Sequence, residues 1–291
     1  METSYKKILC SFGDSRMHKT LERLQKQAEE MNFYDEIHIC DETNLDKEFR
    51  ERFKKQLVFG SRGYGYWCWK PQIVKQFLEQ MNEGDIINYI DAGCHLNKNG
   101  IKRLNEYFEI TNNSKSGILA FRSFWDNTYP FKEYIYNKAD LLNYFGVLDD
   151  KEITHTGQFE AGIFFMRKQP NTMQFIDNWI EVFHKDFSLI DDSKSKIPNL
   201  EGFFDHRHDL SIYSILCKKE GVEELFTSEY IHTDWSSPEM AFQPILAKRD
   251  RQLPFTDKLR KAIYRRLIML KNGTLTIKNL LPIKFFGPAK D

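Results

Sequence analysis

Four short blocks concentrate the side chains that can do chemistry. The first is Arg62-Gly63-Tyr64-Gly65-Tyr66-Trp67-Cys68-Trp69-Lys70-Pro71, with two glycines, four aromatic residues and two cations just ahead of a helical pattern. Glycine lets a backbone approach a ligand closely. Aromatic faces and fixed positive charge suit a ligand that carries both a ring and a phosphate. The same residues also read as an aromatic turn packed into a core. In the second block, Asp91-Ala92-Gly93-Cys94-His95 follows the apolar run DIINYI. A carboxylate at the end of a buried strand reaches a bound ligand, or a divalent cation holding phosphates. Its plainer role is a turn or cap, and Gly93 suits a tight backbone path beside it. The third block sets Gln158 and Glu160 before the apolar run AGIFFM. There Glu160 is either a catalytic carboxylate or a solvated acid at a strand edge. The fourth is His206-Arg207-His208-Asp209, ahead of a helix. Asp209 suits a helix N-cap and equally a general base.

The elements that must position these blocks follow from periodicity. Residues 7–12, 36–40, 85–90, 117–121 and 161–166 read as strands, the first of them a buried apolar run. Between them, helical spacing predicts helices over 16–31, 46–57, 71–81, 100–108, 131–145, 171–184 and 210–219, with Pro71 in a first turn. Residues 190–199 are polar and contain a proline, so they read as a surface loop. Alternating strands and helices imply an α/β fold: a mostly parallel sheet flanked by helices. Ligands of such sheets bind beyond the carboxyl ends of the strands. The loops after Phe12, Cys40, Ile90 and Phe121 are therefore the ones expected to carry the site.

Composition narrows the function classes. The chain has 291 residues, 42 basic and 42 acidic, which suits one large α/β domain or a domain plus an appendage. Its five cysteines are scattered without a CxxC pair, so a structural zinc site is not expected and reduced thiols are. No signal-peptide pattern opens the sequence, and no apolar run approaches the ~18 residues of a membrane span. The expected location is cytoplasmic, peripheral on the inner membrane face. A nucleic-acid partner is not expected, because no nucleic-acid motif is present.

The spacing of the first two blocks resembles a known family. GYGYWCWKP, followed one helix later by GDIINYIDAGCHLN, is similar to the GT-A (Rossmann-like) glycosyltransferases of bacterial capsule and lipopolysaccharide clusters. The resemblance spans about Lys7 to Trp235. It implies transfer of a sugar from a nucleotide-diphosphate donor, a UDP-sugar by analogy, to a glycan or lipid-linked acceptor. It further implies that Ser11, Phe12 and Gly13 form the first strand end, where the base packs. Arg62 and Lys70, with Tyr66 and Trp69, would face the donor. Asp91, Ala92 and Gly93 would stand at the DxD motif, Gln158 would bind sugar hydroxyls, and Glu160 would lie on the sugar face. Here the third position of that motif is Gly93, so one ligand for Mn²⁺ or Mg²⁺ is missing. His95 and His232 are the substitutes, or the metal is dispensable. His232-Thr233-Asp234-Trp235 would border the acceptor or phosphate site. Two other readings remain open: a non-catalytic glycan-binding module, and a nucleotidyl- or phosphate-group transferase, which the lack of a Gly-rich phosphate loop near FGDSRM disfavours.

Charge divides the chain into a catalytic domain, 1–245, and a basic tail, 246–291. The tail holds twelve Lys or Arg against three Asp. Lys258, Arg260, Lys261, Arg265, Arg266 and Lys271 alternate with Leu259, Ile263, Leu267, Ile268 and Leu270. This is the pattern of an amphipathic helix that lies on an anionic membrane, each basic residue contributing about 1 kcal/mol. A docked helix with a solvated basic face fits the same pattern. Truncation after Leu253 is expected to reduce sedimentation with anionic liposomes, and binding by the full chain should weaken as salt rises. A full-length protein that ignores such liposomes would show the tail to be structural.

Overall fold

A computed structural model describes residues 5–123, 131–232, 235 and 237–248. The apolar run KILCSF forms strand β1 (Lys7–Phe12). Helix α1 (His18–Met31) buries Leu21, Leu24, Ala28 and Met31, a single stripe. Strand β2 (Glu36–Cys40) follows. Helix α2 (Lys47–Arg52) is N-capped by Asp46. It is shorter than the pattern over 46–57 suggests, because the chain turns away after Phe53 buries and continues to Gly60, at φ +89°. A single turn, α3 (Gly63–Tyr66), leads into α4 (Trp69–Gln80). Next come β3 (Ile86–Ile90), β4 (His95–Leu96), α5 (Ile101–Asn113) and β5 (Ile118–Arg122).

The single helix expected over 131–145 is instead two, α6 (Glu133–Tyr136) and α7 (Ala139–Tyr144). Asn137 and Lys138 between them are extended. Asn137 turns its amide onto Glu133, while Lys138 reaches carbonyl groups of residues 188–193. The remaining elements are α8 (Lys151–Thr154), β6 (Phe159–Arg167), α9 (Pro170–Lys185), α10 (Asp209–Glu220), β7 (Glu223–Phe226) and β8 (Ile245–Leu246).

Six strands form one sheet in the order β2-β1-β3-β6-β5-β7. The pairs β1/β2, β1/β3 and β5/β7 are parallel, so the sheet is mostly parallel, as the alternation predicts. The exception is central: β6 runs antiparallel to both β3 and β5. Its first residues therefore lie at the carboxyl ends of its neighbours, with Phe159 opposite Arg122 and Ile163 opposite Ile90. The block ahead of AGIFFM thus joins the other candidate blocks at one end of the sheet. Strands β4 and β8 form a separate ribbon, so the 245/246 boundary suggested by charge falls within β8.

Both faces of the sheet are covered. Leu9, Ile86, Ile90, Leu119 and Phe165 pack with Leu24 and Ala28 of α1 and Leu104 and Phe108 of α5. On the other face, Ile8, Cys10, Ile87, Tyr89 and Phe164 meet Ile73 and Val74 of α4, Trp179 of α9 and Tyr213 of α10. Adjacent strand residues serve opposite faces, as the pleat requires. Helix α10 is buried continuously from Asp209 to Cys217. It is a core helix with no solvent face over that stretch, so its first residue is carried into the interior. All five cysteines are free and buried. Among the described residues no helix is long and apolar enough to cross a membrane. The chain divides into two compact units, Met1–Arg249 and Asp250–Asp291. The second, with the basic residues from Lys258 to Lys271, lies outside the described residues.

Candidate functional site

The site begins with an unusual turn. Gly63, Tyr64, Gly65, Tyr66 and Trp67 all have positive φ, between 51° and 89°. A Cβ on Gly63 would come within 2.4 Å of the Trp67 indole, so only glycine fits there. Trp69 donates from its indole nitrogen to the Gly63 carbonyl at 2.9 Å and stacks on Phe12 with ring centroids 4.0 Å apart. Trp69 and Phe12 are buried. The core-turn role of this block is therefore realised, and its consequence is to start α4 so that Lys70 points under the sheet end.

Lys70 is the hub. Its side chain is 4% exposed. The ammonium donates to the Ala161 carbonyl at 2.9 Å and lies 3.2 Å from Asp91 Oδ1 and 3.3 Å from Asp209 Oδ2. It also sits 5.3 Å from the centroid of the Tyr89 ring, whose hydroxyl donates to Asp91 Oδ1 at 3.1 Å. Burial opposes the ammonium, but Asp209 and Asp91 outweigh it and hold the lysine above its ordinary range. Asp209 behaves differently. Burial, reinforced by the Asp91 charge and only partly offset by Lys70, pushes its carboxyl up to about 6. The two carboxylates are unequal in access: Asp91 is 37% exposed and Asp209 5%. Asp91 faces the solvent side, and Asp209 backs it from below.

The Asp91 loop is fixed from both sides. Its amide donates to the Gly162 carbonyl at 2.8 Å, and Cys94 N closes the turn onto the Asp91 carbonyl at 2.9 Å. A Cβ on Gly162 would lie 3.1 Å from Asp91 Oδ2, so a larger residue would displace the carboxylate. Arg23 of α1 donates to the carbonyls of Ala92 and Cys94.

A second charged pair sits at the start of β6. Arg207 makes a two-pronged contact with Glu160, at 2.8 and 3.0 Å, and the Ser123 hydroxyl donates to the same carboxylate at 2.6 Å. The Glu160 side chain is 16% exposed. Gln158 is fully buried. Its amide nitrogen donates to Glu133 at 2.9 Å and its oxygen accepts from Arg207 at 3.4 Å. In this structure the Gln158 amide is spent on Glu133 and Arg207 inside the fold. Glu133 is itself buried and paired with Lys218 at 2.8 Å. Asp209 is the first residue of α10, and the cap position belongs to His208, whose side chain makes no cap bond. His208 is held at φ +58°, ψ −123°, a conformation costly for a residue with a Cβ. Its ring packs against Tyr66 and Trp67 and donates from Nδ1 to the Ile190 carbonyl at 2.5 Å.

The remaining expected residues scatter more widely. Ser11 is buried in β1, and Gly13 donates its amide to the Cys40 carbonyl at 3.1 Å. Arg62 is 45% exposed and pairs with Asp192 at 2.8 Å and Asp205 at 3.7 Å, while the Tyr66 hydroxyl donates to Asp192 at 3.0 Å. The expected metal set does not assemble. His95 lies on β4 against Gln27, and His232 pairs with Glu239 at 3.2 Å. Asp91 Oδ1 meets both Lys70 and Tyr89. Among the described residues no three His, Cys, Asp or Glu side chains converge on a cation position. Thr233 and Asp234 lie outside the described residues. Sequence reasoning gave no role to Arg207, Ser123, Tyr89 or Arg23. The pairing of Arg207 with Glu160 had one visible signal, an arginine inside HRHD; the others had none.

No protein-family model and no curated protein matches the chain. Similar solved structures include the apo form of the glycosyltransferase GlyE of Streptococcus pneumoniae, 12% identical with a TM-score of 0.45. The match covers 94% of this chain but 64% of GlyE, so the chain spans under two-thirds of that protein's length. Apo mouse xyloside xylosyltransferase 1 is 11% identical with a TM-score of 0.44, over 86% of this chain and 99% of that one. Galactosyltransferase LgtC, solved with donor and acceptor sugar analogues, is 12% identical with a TM-score of 0.43, over 95% and 98%.

The Asp209 environment has a measurable consequence. Because its folded-state pKa, about 6, lies above the ordinary 3.8, the folded chain holds this proton more tightly than the unfolded chain. The Asp209 contribution is most favourable below 3.8 and is lost as pH rises through about 6. Asp209→Asn does not titrate. Its stability relative to wild type should therefore improve by on the order of 2–3 kcal/mol between pH 4 and 7, and stay level above. Urea unfolding of both proteins across that range checks this; a difference independent of pH would contradict it.

Proposed function

We propose that this protein is a glycosyltransferase that uses a nucleotide-activated sugar, with its donor pocket at the carboxyl ends of β1 and β3. One observation carries the reading: a single buried ammonium, Lys70, contacts groups from three other separate blocks, Asp91, Ala161 and Asp209. Residues of little mutual meaning in the sequence thus become one rigid, charged sheet end, where α/β folds bind ligands. The resemblance of GYGYWCWKP and DAGC to GT-A enzymes supplies the chemistry that such a site would serve.

In this reading Asp91, the most exposed of the cluster, positions the donor, and Lys70 beneath it and Arg62 at the rim supply positive charge. A departing nucleoside diphosphate needs such charge in place before the bond breaks. Glu160, fixed by Arg207 and Ser123, is the carboxylate on the sugar face, and Asp209 supports Asp91 from below. The bond from the anomeric carbon to the diphosphate oxygen breaks as one to the acceptor oxygen forms. The acceptor proton passes to a carboxylate or to the departing phosphate. No step is routed through a divalent cation, because the described residues do not assemble a ligand set for one. The donor is a UDP-sugar and the acceptor a glycan or lipid-linked glycan of a surface polysaccharide. The basic tail holds the enzyme on the anionic membrane face where such acceptors reside.

Nucleotide release from a panel of UDP- and GDP-sugars, with and without manganese, tests the reading. At least one donor should be turned over. Asp91→Ala should fold yet lose about 100-fold or more of that activity. A folded wild-type protein that neither binds nor hydrolyses any donor, or an Asp91→Ala enzyme with full turnover, would overturn it.

A further inference from the structure

Away from the Lys70 cluster, the loop between α9 and α10 encloses an open cavity of about 430 Å³. That lies within the ~300–1,000 Å³ usual for small-molecule sites. Its lining combines Lys138, three aspartates (Asp191, Asp192 and Asp205) and two aromatic residues, Phe203 and Phe204. Lys194 also lines the cavity, and the three aspartates already have cation partners. Asp191 lies 3.6 Å from the Lys138 ammonium, which also donates to the Asp191 and Ser193 carbonyls. Asp192 and Asp205 both pair with Arg62.

This arrangement selects its ligand by chemistry. With Arg62 beside it, the lining sets Lys138 and Lys194 against three aspartates, so neither sign of charge is in excess and neither a free anion nor a bare cation is favoured. An apolar ligand would displace water from these charged side chains without replacing its hydrogen bonds. A neutral, polyhydroxylated ring fits both halves. Its hydroxyls donate to carboxylates held in place by Arg62 and Lys138, and its C–H face packs on an aromatic ring.

Packed side chains link the cavity lining to Glu160. Phe204 packs edge-on to Tyr136 with centroids 6.0 Å apart, and Tyr136 stacks on Phe131 at 5.5 Å. The Arg207 guanidinium lies over both Phe131 and Tyr136 and grips Glu160. An aromatic wall therefore runs from the cavity to the carboxylate on the sugar face. We infer that the cavity is a saccharide-binding subsite that receives the acceptor glycan. Its role as the acceptor subsite rests on the glycosyltransferase reading; its affinity for neutral saccharides does not.

Saturation-transfer NMR on the full-length protein, without nucleotide, tests the inference. The probes are di- and trisaccharides ending in glucose, galactose, mannose or N-acetylglucosamine. At least one should bind at millimolar concentration. Phe203→Ala, which removes an aromatic face, should weaken that binding about tenfold or more, with nucleotide-sugar binding unchanged. Pro198→Trp, at an exposed position on the lining, should block the cavity and give the same loss if Phe203→Ala does not fold. Saccharide binding that both folded variants retain, or its absence from wild type, overturns the subsite. If nucleotide-sugar turnover that depends on Asp91 persists in that case, the failure belongs to the subsite alone. Saccharide binding that depends on Phe203, in a protein that ignores every nucleotide sugar, would support the saccharide site and remove the glycosyltransferase reading.

Discussion

A lysine ammonium cannot be buried without partners, and that constraint organises the sheet end. Desolvating an ion costs several kcal/mol even after relaxation, and only well-placed opposite charge and hydrogen bonds offset it. Lys70 meets the requirement with two carboxylates and a backbone carbonyl. Each partner comes from a different element, so satisfying one side chain fixes the end of β3, the start of β6 and the first turn of α10 against one another. Asp91 is thereby held at the solvent boundary in a single geometry. A site that must stabilise developing charge gains most from groups whose orientation is settled in advance.

The strand direction of β6 makes this possible. Had the central strand run parallel to its neighbours, Ala161 and Glu160 would lie at the opposite end of the sheet from Asp91. The reversal also sets Glu160 beside Ser123 at the carboxyl end of β5. Arg207, two residues before Asp209, then closes the second charged pair onto the same region. The two pairs are linked through α10, whose burial leaves its first turn little freedom. His208 accepts a costly backbone conformation there, and its ring is clamped by Tyr66, Trp67 and the Ile190 carbonyl. Strain in such a position persists only where surrounding contacts outweigh it.

Much of this was legible in the sequence. Apolar runs located β1, β3, β5 and β6, as expected for strands buried on both faces, and the alternation of EIHIC located the edge strand β2. The chemistry-bearing blocks were visible as departures from those patterns: cations beside aromatics, or a carboxylate directly after an apolar run. Three kinds of feature were not legible. Strand direction leaves no mark on composition, so the reversal of β6 could not be read. A side chain's depth depends on partners distant in sequence. The position of Lys70 beneath Asp91 and the bracing of Glu133 by Gln158 therefore left no mark in the sequence. Helix breaks driven by side-chain hydrogen bonding, as at Asn137 and Lys138, override a helical spacing that is otherwise sound.

Lys70 holds two carboxylates of the site together by charge. The most direct measurement compares the unfolding free energies of Lys70→Met and of Lys70→Met combined with Asp209→Asn, at pH 7.5. Removing the ammonium alone leaves a buried carboxylate uncompensated, so a loss of about 3–5 kcal/mol is expected. Neutralising Asp209 in the same protein should restore a substantial part of it. A Lys70→Met protein within about 1 kcal/mol of wild type, or a double variant no more stable than the single one, would contradict the account.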